Sequence, residues 1–193
     1  ADSDIRIAVL SFDDTIRWMH PEPVDLLDFK WKRLGTNGLT SFGDACKELK
    51  NKMSQHEFLK SPSASRVPVC IALSDGGAND VGWEKKIADL HTNKWFKKSL
   101  KYAIGIGEGA DADMLSKFTG NPESVSIVTD GKSLAYLLRF VSLTSSEIGS
   151  HSTGVDDSGD PDDAAQNLLN QKVKEAEEDG LSKDPDDIDP DDW

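Results

Sequence analysis

No stretch of this chain reaches the roughly 20 consecutive apolar residues that a membrane-spanning helix requires, and no secretory leader is legible in it. The expectation is a cytoplasmic protein with no membrane partner. Cysteine is scarce. Cys46 and Cys70 lie inside apolar periodic stretches and read as buried thiols. Histidine is equally thin, and His20, His56, His91 and His151 are scattered without ligand spacing. Positive charge is short too: 22 Lys and Arg stand against 35 Asp and Glu, a formal net charge of -13. With no basic face or aromatic–basic cluster read to neutralise phosphates, nucleic acid is not expected as a partner.

The acid that is present is unevenly placed. Residues 151–193 hold 15 Asp and Glu against 3 Lys, whereas residues 1–150 hold 20 acidic and 19 basic residues. The domain, residues 1–148, is therefore nearly neutral. Residues 149–193 read as an acidic, largely disordered tail, too polar to offset the entropy of ordering. One short helix is expected in it over residues 164–178, gripped only by Leu168, Leu169 and Val173.

Within the domain, apolar runs alternate with amphipathic stretches. Ile5–Phe12 (IRIAVLSF) is rich in β-branched residues and reads as one buried strand, followed by a short strand-like piece from Thr15 to Met19. Asn37-Gly38 marks a turn, and Thr40-Ser41 is expected to cap a helix over residues 43–53, where Ala45, Leu49 and Met53 share a face. Val67–Leu73, Leu100–Ile106 and Val125–Val128 read as further buried strands. Helices are expected from Trp83 to Leu90 or beyond, from Asp111 to Phe118 and from Ser133 to Val141. Such alternation implies an α/β fold of three layers, Rossmann-like, with a central and mostly parallel sheet. Trp83, Trp95 and Phe96 are expected to be helix residues packing on that sheet, and Asp111 and Asp113 to satisfy helix amides.

In open parallel sheets, ligands bind in the crevice outside the carboxyl ends of the strands. Two polar clusters fall there: Gly38-Leu39-Thr40-Ser41-Phe42-Gly43, and Ser74-Asp75-Gly76-Gly77-Ala78-Asn79-Asp80 after the second long strand. A hydroxyl and a carboxylate aimed into one crevice suit a hard, oxygen-preferring cation. The plainer alternative makes Thr40 a helix cap and Asp75 the start of a turn. Other motifs carry less. SFDDT after a strand is similar to the haloacid dehalogenase motif, but it places Ser11 where the nucleophilic carboxylate is needed. Gly105-x-Gly107-x-Gly109 lacks phosphate-loop spacing, and Asp156–Asp163 sets Pro161 at the glycine position of a calcium loop.

GLTSFGDACKEL, followed by a strand ending SDGG, resembles the second and third motifs of the metal-ion-dependent adhesion site (MIDAS) in von Willebrand factor A (vWA) domains. AVLSFDDTIRWM, the stretch from Leu73 to Asn121 and the closing LLRFVSLTSS are similar to the bacterial TerY-like, tellurium-resistance-associated vWA proteins, over about residues 4–146. The resemblance implies that Thr40 and Asp75 help to hold Mg²⁺, or Mn²⁺ or Ca²⁺ in its place. It also implies that an acidic side chain of a partner protein completes the coordination. The function implied is that of a cytoplasmic binding adaptor in stress-response or tellurium-resistance complexes, alongside a kinase or phosphatase of the same system, and not that of an enzyme. The pattern departs from the family at its front. The first vWA strand, ending Asp-x-Ser-x-Ser, is not among these residues; Ile5–Phe12 matches the second strand, and an upstream segment is expected to supply the first. A metal-independent interaction protein with a decayed adhesion site is the alternative, and a haloacid-dehalogenase-like phosphotransferase a more distant one.

Overall fold

The computed structural model describes residues 5–35, 38–60, 67–151 and 163–180. Its centre is a three-stranded parallel sheet of β5 (Val69–Ser74), β6 (Leu100–Ile106) and β7 (Val125–Val128), in that order. Pairing runs from Val69 opposite Leu100 to Ser74 opposite Gly105, and from Ala103 opposite Val125 to Ile106 opposite Val128. All three strands are continuous apolar runs, as a parallel sheet covered on both faces demands.

Helices cover those faces. One layer holds α1 (Phe42–Lys52), α2 (Trp83–Leu90), α3 (Lys94–Lys98) and α4 (Ala112–Thr119). Its core joins Phe42, Cys46, Ile87, Leu90, Phe96, Leu115 and Phe118 to Cys70, Ala72 and Ala103 of the sheet. Phe42, Phe96 and Phe118 meet edge to face at 5.4–5.6 Å, the arrangement favoured by ring quadrupoles. The opposite layer holds α5 (Gly131–His151) and α6 (Asp163–Gly180), whose Leu137, Val141, Leu169 and Val173 pack on Leu100, Tyr102 and Ile104. The α/β three-layer expectation holds at that level. Both thiols are free and buried as expected, and Trp95 and Phe96 are buried in the first core.

Local chemistry fixes several boundaries. Asn93 accepts hydrogen bonds from Trp95 N and Phe96 N, capping α3, and donates from Nδ2 to Lys50 O and Met53 O, tying α3 to the end of α1. Asp111 accepts from Met114 N at the start of α4, and Gly120 (φ 77°) ends it in the left-handed conformation that glycine adopts without strain. The buried Lys101 ammonium donates to Phe96 O, Lys97 O and Ser99 O around the end of α3, so its charge is not left bare.

Several expectations are corrected. Ile5–Phe12 is not one buried strand. Arg6–Ile7 (β1) pairs antiparallel with Val24–Asp25 (β4), and Leu10–Phe12 (β2) pairs antiparallel with Ile16–Trp18 (β3); neither ladder joins the parallel sheet. The last helix of the domain is longer than Ser133–Val141 because its second half presents Thr144, Ser145 and Ile148 to the interior. The helix expected over residues 164–178 is α6, and it is part of the core. Leu169 and Val173 are fully buried, while Leu168 stays 43% exposed. Gln166 strengthens that docking. Beyond the reach of β7, its side-chain amide accepts from Lys101 N and donates to Lys101 O, both at 2.9 Å. Residues 152–162 and 181–193, with the Asp-rich stretch from Asp156 and the expected disordered tail, lie outside the described residues. Among the described residues no helix is long and apolar enough to cross a membrane.

Candidate functional site

Four connecting segments gather at the carboxyl end of the sheet: Asp13–Thr15, Gly38–Ser41, Asp75–Asp80 and the Gly107–Asp111 turn. Thr40 is gripped by Asn79, whose Oδ1 accepts from Thr40 N at 2.8 Å and whose N donates to Thr40 O at 3.2 Å. Asp14 Oδ1 accepts from Leu39 N at 2.7 Å, and Asp13 O from Ser41 N at 3.3 Å. These bonds draw the 38–41 loop against the loop that follows β5.

The approach is close at Gly76 and leaves little room for a side chain at Gly77 and Gly109. A Cβ on Gly76 would lie 3.8 Å from Thr40 Oγ1, and one on Gly77 would lie 3.0 Å from Asp111 Oδ2. A Cβ on Gly109 would stand 3.1 Å from Asp75 O. The Gly76-Gly77 pair thus threads between Thr40 on one side and the start of α4 on the other, with Asp75 just before it. Ser74 Oγ donates to Gly76 O at 2.9 Å, which fixes the turn as the strand ends.

The side chains around this crevice divide by whether they are already engaged. Asp13 Oδ1 accepts from Thr15 N and Thr15 Oγ1, both at 2.8 Å, and those bonds hold its carboxyl below the usual carboxylate range. Asp80 accepts from Gly43 N at 3.0 Å and binds Lys86 Nζ at 2.7 Å, while Asp44 takes the same ammonium at 2.8 Å. That bond from Gly43 N corrects the expected helix cap: Ser41 occupies the N-cap position but makes no side-chain bond, and Asp80 from the neighbouring loop takes its place. Asp111 is spent on α4, and Asp113 binds Lys117. By contrast, among the described residues no hydrogen bond or ion pair engages Thr40 Oγ1 or the exposed Asp75 carboxylate. Thr40 Oγ1 thus stands beside Gly76, the residue that follows Asp75 in the chain.

Thr40 and Asp75 do not amount to a full coordination sphere. Among the described residues no group of three His, Cys, Asp or Glu side chains could hold a metal ion. The decoy motif is also accounted for, since Asp13 folds back on its own turn and Ser11 Oγ donates to Arg17 O at 3.2 Å. The histidines act singly; His91 contacts Lys117 O at 2.9 Å and the Phe96 ring at 5.0 Å.

One feature escaped the sequence reading. Phe29, Lys30, Trp31, Lys32 and Arg33 form an aromatic–basic strap after β4, with Trp31 65% exposed. Its signal was the FKWKR run itself, in which apolar Phe29 and Trp31 alternate with Lys30 and Lys32. Compared with protein-family models, with curated proteins and with solved structures, the chain matches none of them.

Proposed function

We propose that this chain is a protein-binding adaptor of vWA type, TerY-like in its sequence pattern, in which Thr40 and Asp75 contribute oxygens to a Mg²⁺ site. A partner's Asp or Glu would fill an open coordination position, and the remaining ligands would come from an Asp-x-Ser-x-Ser segment outside these residues and from water. The observation that carries this reading is the placement of Thr40 Oγ1 beside Gly76, next to an unengaged Asp75, where strand β5 ends. The chemistry is that of a hard cation bridging two proteins and needs no catalytic group.

The metal alone is the first probe. Titration of Mn²⁺ into the intact chain, followed by water-proton relaxation, should show weak binding that Mg²⁺ displaces. Asp75→Ala should weaken it by at least about tenfold, and Thr40→Ala by less, since a neutral hydroxyl contributes less than a carboxylate. Asn51→Ala, on the exposed side of α1, should leave it unchanged. Equal Mn²⁺ binding in all variants, or none at millimolar metal, would rule the site out. The metal-independent interaction protein would then stand.

A further inference from the structure

Large apolar side chains stand exposed along the β1–β4 pair and the strap that follows it. Among the described residues eleven large hydrophobic side chains are exposed, and five of them belong here: Ile5, Leu26, Leu27, Trp31 and Leu34, at 41, 48, 93, 65 and 40%. They come from two paired segments, since Leu26 N donates to Ile5 O at 2.9 Å beyond the β1–β4 pairing. The strap is held in shape. Phe29 lies against Trp31 at 6.2 Å and edge-on to His20 at 5.3 Å, and Lys32 reaches back to Met19 O at 2.7 Å. Around this face Arg6, Lys30 and Arg33 are exposed, and none of them is ion-paired among the described residues. An apolar patch rimmed by charge marks an interaction surface.

We propose that this face docks the chain's own acidic C-terminal segment, residues 181–193. That segment carries six Asp against one Lys, while Leu26–Gly35 carries Lys30, Lys32 and Arg33 against Asp28, so the charges are opposite. The segment is not purely acidic. Leu181, Ile188 and Trp193 stand among its carboxylates, as an occupant of an apolar floor with a cationic rim requires. Fully extended, thirteen residues span about 45 Å, on the order of the diameter of a domain of this length. Nucleic acid fits worse, because Trp31 is the one exposed aromatic among these five side chains and the cations are few for a phosphate backbone. An anionic bilayer would repel the acidic C-terminal third of the same chain. The proposal does not depend on the metal site.

Zero-length carbodiimide coupling of the intact chain at high dilution, read by peptide mass spectrometry, tests it. Lys30 and Lys32 should couple to Asp184–Asp192 within the monomer fraction. Raising the salt to several Debye lengths' worth of screening should lower the yield by at least about fivefold. Arg33→Glu and Trp31→Ala, which keep both lysines and lie at exposed positions, should lower it similarly while the circular dichroism stays unchanged. Coupling spread evenly over remote lysines such as Lys85 and Lys172, or none at all, would overturn the proposal. Coupling confined to dimers would assign the face to a second copy's segment, and Trp31-dependent flotation with phosphatidylserine vesicles would assign it to lipid; either result also overturns it.

Discussion

Leu100–Ile106 and Ile5–Phe12 are both long apolar runs, yet they end in opposite surroundings. The first is flanked by a strand on each side and a helical layer on each face, and every residue but the last is buried. The second divides into two short antiparallel pieces in which no residue is buried. Apolar character supplies the drive to leave water, but a strand achieves burial only where neighbours complete the ladder and close both faces. Each N-terminal pair has a single ladder, and the β2–β3 pair packs on one side against α1, with Phe12 at 5.4 Å from Phe42.

Mutation should reproduce that contrast. The largest effect is expected at Leu169, buried where α6 meets the sheet. Leu169→Ala should cost about 2–5 kcal/mol in urea unfolding, through lost transfer energy and a residual cavity; a cost near zero would mean that α6 does not belong to the cooperative unit. Thiol chemistry is the next probe. Burial pushes the Cys70 thiol up to about 11, and burial above all, with Asp80 nearby, raises Cys46 further still. A raised thiol pKa leaves less thiolate at a given pH. At pH 8 both cysteines should react with a disulfide reagent more than about 100-fold slower in the folded chain than in urea. Rapid reaction of either would show that the core under α1 opens readily. The smallest effect is expected in the hairpins, where Leu27→Ala should change stability by less than about 0.5 kcal/mol, since its side chain is 93% exposed. A larger loss would show that the strap is covered in solution and so sharpen the docking proposal.

The elements most legible in the sequence were those whose apolar period and punctuation agree. Leu100–Ile106 and Val125–Val128 have the expected bounds, and Trp83–Leu90 sits between Gly82 and His91 as read. The misses have physical causes. Trp95 and Phe96 are helix residues as expected, but the bounds of Lys94–Lys98 were not legible, because the helix is too short to show a period and Asn93 defines it by capping. The second half of α5 is rich in Ser and Thr, which blur the apolar period, although Ser145 is fully buried. Helix α6 has few apolar residues, but Leu169, Val173 and Ala176 share one side and bury it. At the candidate site, Thr40 and Asp75 could be named from pattern alone. That Asn79 clamps Thr40, and that Asp80 caps α1 from another loop, could not, because both bonds join residues more than thirty-five positions apart.

The Gln166 amide has a consequence for how this molecule comes apart. Strand β6 extends past the end of β7, and at Lys101 the main chain finds its partner in a carboxamide rather than in a strand. Helix α6 and the central strand are thus fastened by a two-pronged clip, the Gln166 carboxamide gripping the Lys101 amide and carbonyl. Peeling α6 away would therefore unseal the middle of the sheet, so the last helix behaves as a keystone and not as trim.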